Sequence, residues 1–360
     1  MDTESLPLHL TPLVRAWQCR KRGLCCKGLS ISISETKRKR IARRLGEIGD
    51  ERAELIQTGP FEIVDGWLQL PRKDGACVFL EDRLCGLHKR FGGTSVPNAC
   101  ATFPYIVMLT DDRLIASLSF QCPTALELLA HSERFAVLVE PDGEPPTDQV
   151  SFLGSTDETF FDLQGEPVTV SDFWRLHRAM AARFEARQER DPLQRLIAFA
   201  EAETGEAAPP AIELPDDFWS RASWDMAVSR ELSRAAGEAT HELGWWLSLM
   251  RPQDYEFRHP EGFDADAFVM RYLLHRLFAP VFYLHHRDLR FGLAMLFALL
   301  VRIRLERGRG HEVTVAVRHT DRFFVHPIDA TEIFGSAANP LGPELPWGNS
   351  WRVFATLARS

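Results

Sequence analysis

The sequence lacks the features that mark secreted and membrane proteins. Its 360 residues contain no run of about 18 uncharged apolar residues, so no membrane span is expected. The most apolar stretch, residues 291–301, is too short to cross a bilayer. The N-terminal segment MDTESLPLHL has no basic region ahead of an apolar one, so no secretion signal is expected. We therefore predict a cytoplasmic protein, in which thiols stay reduced.

Motifs of several common enzyme classes are also missing. No G-x-G-x-x-G stands between a strand and a helix, and the glycine pairs at 92–93 and 308–310 have the wrong context, which argues against a Rossmann-like nucleotide site. No C-x3-C-x2-C radical-type loop is present. The absence of a G-x-S-x-G elbow leaves hydrolase chemistry without support.

Acidic side chains outnumber basic ones overall, but one segment near the N-terminus is rich in basic residues. The net charge of -8 argues against bulk nucleic-acid binding. Residues 20–44 nevertheless carry ten Lys and Arg side chains, opposed only by Glu35. This segment is either the solvated face of a helix or a docking surface for an acidic partner or anion. A cationic setting would also lower cysteine pKa values and favour thiolates.

Cysteine is absent from the last 238 residues, and all seven cysteines lie in the first 122. Because a cytoplasmic protein rarely keeps disulfides, they are better interpreted as metal ligands or reactive groups. Glycines at 23 and 28 permit tight turns beside the CC pair, and a polar turn at residues 81–83 separates the next two thiols. Pro123 suits the first position of a helix. The N-terminus of that helix would favour a thiolate on the preceding residue, Cys122. The candidate metal ligands are Cys19, Cys25, Cys26, Cys77, Cys85, Cys100 and Cys122.

Thiolate-rich sites select zinc, cuprous copper or iron–sulfur clusters. Zinc and a cubane 4Fe-4S cluster each take four ligands, so seven thiols exceed one such site. Either some thiols are redox groups or lie around the metal without binding it, or two metal centres share the region. The adjacent thiols of Cys25 and Cys26 pose this alternative most directly. Some of the cysteines could instead be small buried hydrophobes. His88 is either a nitrogen ligand or a residue of a helix surface.

The same residues carry a family resemblance. GLCCKG, CVFLEDRLCGLHKRFG, CATFP and SLSFQCP, which together span residues 17–130, resemble the zinc- or iron-chelating cysteine-cluster family (YkgJ-type). The arrangement is most similar to its flagellin lysine-N-methylase (FliB-type) branch, which residues 270–282 resemble more loosely. In that branch an Arg usually follows CATFP, whereas this chain has Tyr105.

The resemblance implies a metal-binding or iron–sulfur protein that methylates lysine on a protein or peptide substrate with S-adenosylmethionine. A second hypothesis is a non-enzymatic module that carries, stores or senses iron or zinc, or uses metal to fold. A third is a peptide-modifying redox enzyme with spare cysteines as redox groups. The preferred four ligands are Cys25, Cys77, Cys85 and Cys100, and the other three cysteines are additional ones.

The predicted fold is α+β and mainly helical. A small cysteine-rich metal-binding domain occupies residues 1–140, and a helical bundle occupies 150–360. Strands are predicted at 30–34 and 67–70, a hairpin at 105–120, and helical residues at 35–57, 84–91 and from 124. Longer helices are predicted at 224–250, 264–278 and 288–306, and loops at 141–149 and 205–215.

Side chains in the helical part give three further expectations. Ser171 and the pair Asp191–Pro192 are predicted to start helices. The aromatic residues Trp245, Trp246, Phe291 and Phe297 are expected in the core. His275, His285 and His286 lack carboxylates at helical ligand spacing, so no metal site is predicted from them.

Overall fold

A computed structural model confirms a mainly helical α+β protein. The residues it describes are 6–28, 31–59, 61, 63–64, 67–131, 150–152, 159–211, 257, 259–278, 287–325, 351–352, 355 and 358–359. The predicted loop 141–149, the predicted helix 224–250, and residues 245, 246, 285 and 286 lie outside them. None of the helices in the described part of the chain combines the length and apolar character needed to cross a membrane.

Short strands and helices alternate at the N-terminus. The stretch 35–57, predicted as helical throughout, is divided in two, because Gly49 has a φ of +66° and ends the first helix. The Asp50 carboxylate then accepts the Arg52 N–H at 3.0 Å and starts the next. The elements are β1 (Leu8–Leu10), α1 (Pro12–Ala16), α2 (Leu24–Gly28), β2 (Ser32–Ile33), α3 (Glu35–Glu47) and α4 (Arg52–Thr58).

Four very short antiparallel pairings follow. Strands pair in the order β2-β4-β3, and the hairpins β5-β6 and β7-β8 come directly after them. The strand predicted at 67–70 forms at residues 67–69. The helix predicted at 84–91 begins at Gly86, because residues 84–85 pair as a short strand instead. The elements are β3 (Ile63–Val64), β4 (Trp67–Gln69), β5 (Arg72–Lys73), β6 (Ala76–Cys77), β7 (Leu80–Glu81), β8 (Leu84–Cys85), α5 (Gly86–Phe91) and α6 (Asn98–Thr102).

The predicted hairpin at 105–120 forms the centre of a four-stranded sheet. β9 (Tyr105–Leu109) and β10 (Leu114–Leu118) pair antiparallel, with Leu114 opposite Leu109. α7 (Pro123–His131) follows, and β11 (Val150–Phe152) completes the order β1-β10-β9-β11. All five residues of β10 are buried, so this sheet is covered on both faces.

Helices dominate the rest of the described chain. Asp191 caps one by accepting the Gln194 N–H at 2.7 Å, as predicted. The cap predicted at Ser171 is wrong: Thr169 is the extended residue that accepts the Asp172 N–H at 3.1 Å, and Ser171 lies inside the helix. The elements are β12 (Phe160–Phe161), β13 (Pro167–Val168), α8 (Val170–Ala186), α9 (Pro192–Thr204), α10 (Ala265–Phe278), α11 (Leu289–Gly308) and α12 (Val313–Val325).

Two hydrophobic cores are present in the described residues. The smaller core lies between residues 31 and 96 and includes Leu45, Phe79 and Leu87. The larger one joins the four-stranded sheet to the helices and also includes Cys122. Phe291 and Phe297 are buried in the larger core, as predicted.

Candidate metal centre

Five of the seven cysteines converge in the described structure. α2 carries Cys25 and Cys26 and packs against β6, which carries Cys77. Cys85 ends β8 and Cys100 lies in α6. Cys100 lies close enough for its charge to interact with those of Cys25, Cys77 and Cys85, and Cys26 interacts with Cys25, Cys77 and Cys100. We refer to Cys25, Cys26, Cys77, Cys85 and Cys100 as the five-thiol group.

Tight turns position these thiols, as the sequence predicted. Asp82 and Arg83 both have positive φ angles, 46° and 68°, and reverse the chain between β7 and β8. Gly23 enters α2 with a φ of +67°. A Cβ atom at Gly23 would lie 2.8 Å from Leu80 Cδ1 and 2.9 Å from the Arg83 Cα, so glycine lets α2 approach this turn.

Burial dominates the protonation of most of these thiols. It raises the pKa values of Cys77 and Cys100 because the thiolate is the charged form. A hydrogen bond from Cys26 lowers the pKa of Cys25 to about 7, and the same bond, together with burial, raises the pKa of Cys26. Cys25 is therefore the thiol of this pair that ionises first.

The expectation that the basic segment lowers cysteine pKa values is wrong for Cys26, Cys77, Cys100 and Cys122, whose pKa values are all raised. Burial is the largest cause for Cys77, Cys100 and Cys122, and the hydrogen bond with Cys25 is the largest for Cys26. In addition, several of the basic side chains bind elsewhere. Arg38 donates to Glu35 on its own helix, and Arg20 and Arg22 bind Glu127 on α7. Lys37 and, outside the segment, Arg72 and Arg318 lower the pKa values of nearby thiols, but their effects are smaller than that of burial.

Cys122 and Cys19 occupy contrasting positions. Cys122 is buried immediately before α7, whose first residue is Pro123, as predicted. Burial raises its pKa, opposed by the N–H groups of Ala125 and Thr124 and by Trp17, and its charge interacts with that of Cys25. Cys19 is exposed, and its sulfur accepts the Lys21 N–H at 3.4 Å.

His88 lies on α5 with an exposed side chain. His275 is fully buried in α10, and its Nε2 lies 2.8 Å from the Ser117 Oγ on β10. The hydrogen bond to Ser117 gives His275 a role in joining α10 to the four-stranded sheet.

Charged residues of the helical part hold the loop that ends at Cys122. The Asp321 carboxylate on α12 accepts the Phe120 N–H at 2.6 Å and pairs with Arg276 on α10. Arg276 also donates to the Leu118 carbonyl at 2.9 Å, and Arg318 donates to the Gln121 carbonyl at 3.3 Å. Sequence analysis missed these residues, because a charged side chain within a helical segment normally indicates its solvated face.

The donor chemistry fits a thiolate-ligated metal. The five-thiol group offers sulfur alone, the ligand preferred by zinc, cuprous copper and iron–sulfur clusters. Around one tetrahedral zinc, with bonds of about 2.3 Å, sulfur atoms would stand about 3.8 Å apart. Among the residues that the structure describes, no three cysteine sulfurs lie within 4.8 Å of one another. The spacing is therefore wider than a single zinc ion requires.

Comparison with known proteins gives one match. Residues 18–123 match a family model, CxxCxxCC, described as "Putative zinc- or iron-chelating domain", which covers less than a third of the chain. No curated protein and no solved structure matches the chain. The matched segment contains the whole five-thiol group together with Cys19 and Cys122. The family model thus supports zinc or iron chelation by residues 18–123 of this chain.

Proposed function

We propose that this chain is an iron–sulfur metalloprotein whose 4Fe-4S cluster is held by Cys25, Cys77, Cys85 and Cys100. The observation that carries this proposal is the convergence of the five-thiol group from four separate elements, α2, β6, β8 and α6. A metal of this class, when bound, supplies Lewis-acid or electron-transfer chemistry.

The spacing of the thiols favours a cluster over a single zinc ion. The thiolates of a cubane bind different iron atoms, so they stand farther apart than thiolates that share one ion. No three of the described cysteine sulfurs lie within 4.8 Å of one another, whereas the four ligands of one zinc ion would. Burial of Cys77 and Cys100 also disfavours a free thiolate, and metal coordination removes that penalty by keeping the sulfur deprotonated.

The remaining cysteines would act around the cluster. Cys26 donates a hydrogen bond to Cys25, which suits a residue that orients a neighbouring ligand. Cys122 lies at the start of α7 near Cys25, and its charge interaction with Cys25 supports a place at the edge of the site. Cys19 would be an additional ligand only if the segment preceding α2 rearranged, since its sulfur is exposed.

Cysteine substitutions test the ligand set. We expect Cys77→Ser and Cys100→Ser to reduce bound metal to a small fraction of the wild-type amount, because each removes one of the four proposed ligands. Cys19→Ser is the matched control, since it deletes an exposed thiol of the same segment. Elemental analysis after anaerobic purification gives the metal content. Full metal content in the double variant Cys77→Ser/Cys100→Ser would overturn the proposed ligands.

For the reaction, we propose S-adenosylmethionine-dependent methylation of lysine in a protein or peptide. Support comes from the resemblance of the cysteine motifs to the flagellin lysine-N-methylase branch. The lysine Nζ would take the methyl group from the sulfonium, with loss of one proton and release of S-adenosylhomocysteine. Tyr105, which stands where that branch has Arg, packs edge-on against Trp17 with ring centroids 5.2 Å apart.

Calorimetric titration with S-adenosylmethionine tests this reaction. Saturable binding to the metal-loaded protein, followed by methyl transfer to lysine-containing peptides, is the expected result. Lack of binding by metal-loaded protein would refute the methyltransferase proposal. It would leave a non-enzymatic metal-binding module, the alternative in which metal serves transport, sensing or folding.

A further inference from the structure

A second group of metal-binding side chains lies in the helical part of the protein. Glu306 near the end of α11, His311 in the following turn and His319 on α12 place their ligand atoms within 4.8 Å of one another. We propose that these three residues form a Zn²⁺ site of two imidazoles and one carboxylate. The site contains no cysteine and is built on different elements from the five-thiol group.

The chain path explains why these residues meet. α11 ends at Gly308, and Gly310 reverses the chain with a φ of +87°. The His311 N–H then bonds to the Glu306 carbonyl at 3.1 Å, which returns His311 to the end of the helix it has just left. His319 lies in the second turn of α12, and the packing of α12 against α11 brings its ring to Glu306.

The distances suit one small cation. The Glu306 Oε2 lies 3.0 Å from the His319 Nδ1 and 3.6 Å from the His311 Nε2. Two ligands that each lie about 2.0–2.1 Å from a tetrahedral zinc ion are about 3.3–3.4 Å apart. The two imidazole rings are nearly perpendicular, with centroids 5.1 Å apart. The ion would therefore need only small side-chain movements.

The surroundings of Glu306 orient it for this task. Its side chain is fully buried, and its other oxygen, Oε1, accepts from Arg302 at 2.6 Å and Arg309 at 3.3 Å. Both arginines bind the oxygen that faces away from the histidines, which leaves Oε2 as the ligand. Hydrogen bonds of this kind are the usual support of a metal-bound carboxylate.

The two histidines differ in their exposure to solvent. His319 is 91% buried. In the described part of the chain the His319 Nε2 has no hydrogen-bond partner, so the contact between its Nδ1 and the Glu306 carboxylate holds the ring in place. His311 is 27% exposed, which gives solvent a route to the site. Three protein ligands with solvent access leave a fourth position for water, as in catalytic zinc sites.

Zinc titration of the full-length protein, purified with its cysteine-bound metal in place, tests the proposal. We expect wild type to take up one more Zn²⁺ per chain than His311→Ala, at constant iron content. The matched control is His131→Ala, an exposed histidine at the end of α7, which should bind as much zinc as wild type. Circular dichroism would establish that both variants fold.

The electronic spectrum of bound Co²⁺ provides an independent measurement. The extra cobalt should lack the thiolate-to-metal charge-transfer band that cysteine ligation produces. Equal zinc uptake by wild type and His311→Ala, or thiolate bands from the extra cobalt, would overturn the proposal. Wild-type protein that binds no zinc beyond its cysteine-bound metal would show that the three residues form an ion-pair cluster only. None of these outcomes depends on whether the cysteine centre holds iron.

Discussion

At the scale of single residues, Asp321 connects the helical part to the cysteine-bearing part. It is fully buried, as is Arg276, and each bonds the backbone of the loop that ends at Cys122. Burial raises the pKa of Asp321, whereas Arg276, the Phe120 N–H and Tyr272 act against that rise. Because the pair is enclosed, removing one member leaves a buried charge without its counter-ion.

We expect Asp321→Ala to lower the free energy of unfolding by about 3–5 kcal/mol, the usual cost of breaking a buried ion pair from one side. Asp112→Ala is the control: its carboxylate is 46% exposed and binds Arg113 and Arg178, so its loss should cost about 0–1 kcal/mol. Urea unfolding of metal-loaded protein measures the free energy of unfolding of both variants. Similar losses in the two variants would show that the buried pair contributes no special stability.

The adjacent Cys25 and Cys26 raised a question that the sequence left open. Neighbouring residues rarely direct both sulfurs at one ion, and the structure gives the two thiols different roles in a hydrogen bond. Sequence could identify the pair as chemically important, but the burial and neighbouring charges that distinguish the two thiols depend on the fold. The ligand assignment within the pair stays a prediction.

At the scale of elements, Gly23 allows α2 to lie against the turn between β7 and β8. We expect Gly23→Ala to lower metal content and thermal stability, because the Cβ would clash with Arg83 and the backbone has a positive φ. The control Gly75→Ala separates the steric clash from the backbone strain. Gly75 has a φ of +75° but open space around it, so backbone strain of about 1–3 kcal/mol should be the main cost of that substitution. Normal metal content in Gly23→Ala would contradict this role.

Local signals predicted several elements well. The Asp191–Pro192 pair and Asp288 mark helix starts because their side chains bond N–H groups a few residues ahead. The cap at Thr169 was missed because Ser171 offers the same kind of signal two residues later. The break at Gly49 was missed because helix-forming residues stand on both sides of it. Local sequence thus indicates that a helix exists more reliably than where it begins.

At the scale of the whole molecule, the candidate metal centre and the larger hydrophobic core lie in different parts of the described chain. The core between residues 31 and 96 has ten buried members, and Cys77, Cys85 and Cys100 pack against it. Among the described residues of the larger core, Cys122 is the one cysteine. The proposed division into domains at 1–140 and 150–360 would follow if the two parts also unfold separately.

Hydrogen–deuterium exchange with and without a chelator measures this dependence. Metal removal should increase amide exchange in residues 24–100, because the small core loses its bound metal, while α9 and α11 stay protected. Uniform loss of protection across the chain would contradict the account. Unchanged protection in residues 24–100 would mean that metal has no structural role there.

The candidate sites differ in how far sequence could reveal them. Seven cysteines confined to 122 residues indicate a metal centre without any structure. Glu306, His311 and His319 were not recognised, because their approach depends on the turn at Gly310 and on the packing of α11 against α12. Arg276 and Asp321 were missed for the same reason: long-range contacts leave no local pattern.

The most direct test of the central claim is the iron, zinc and inorganic sulfide content of protein purified without oxygen. A cubane held by the five-thiol group predicts about four iron and about four sulfide per chain. Zinc in the cysteine centre with no sulfide would contradict the cluster and leave a zinc-chelating domain. Folded protein with neither metal would contradict metal binding by this segment altogether.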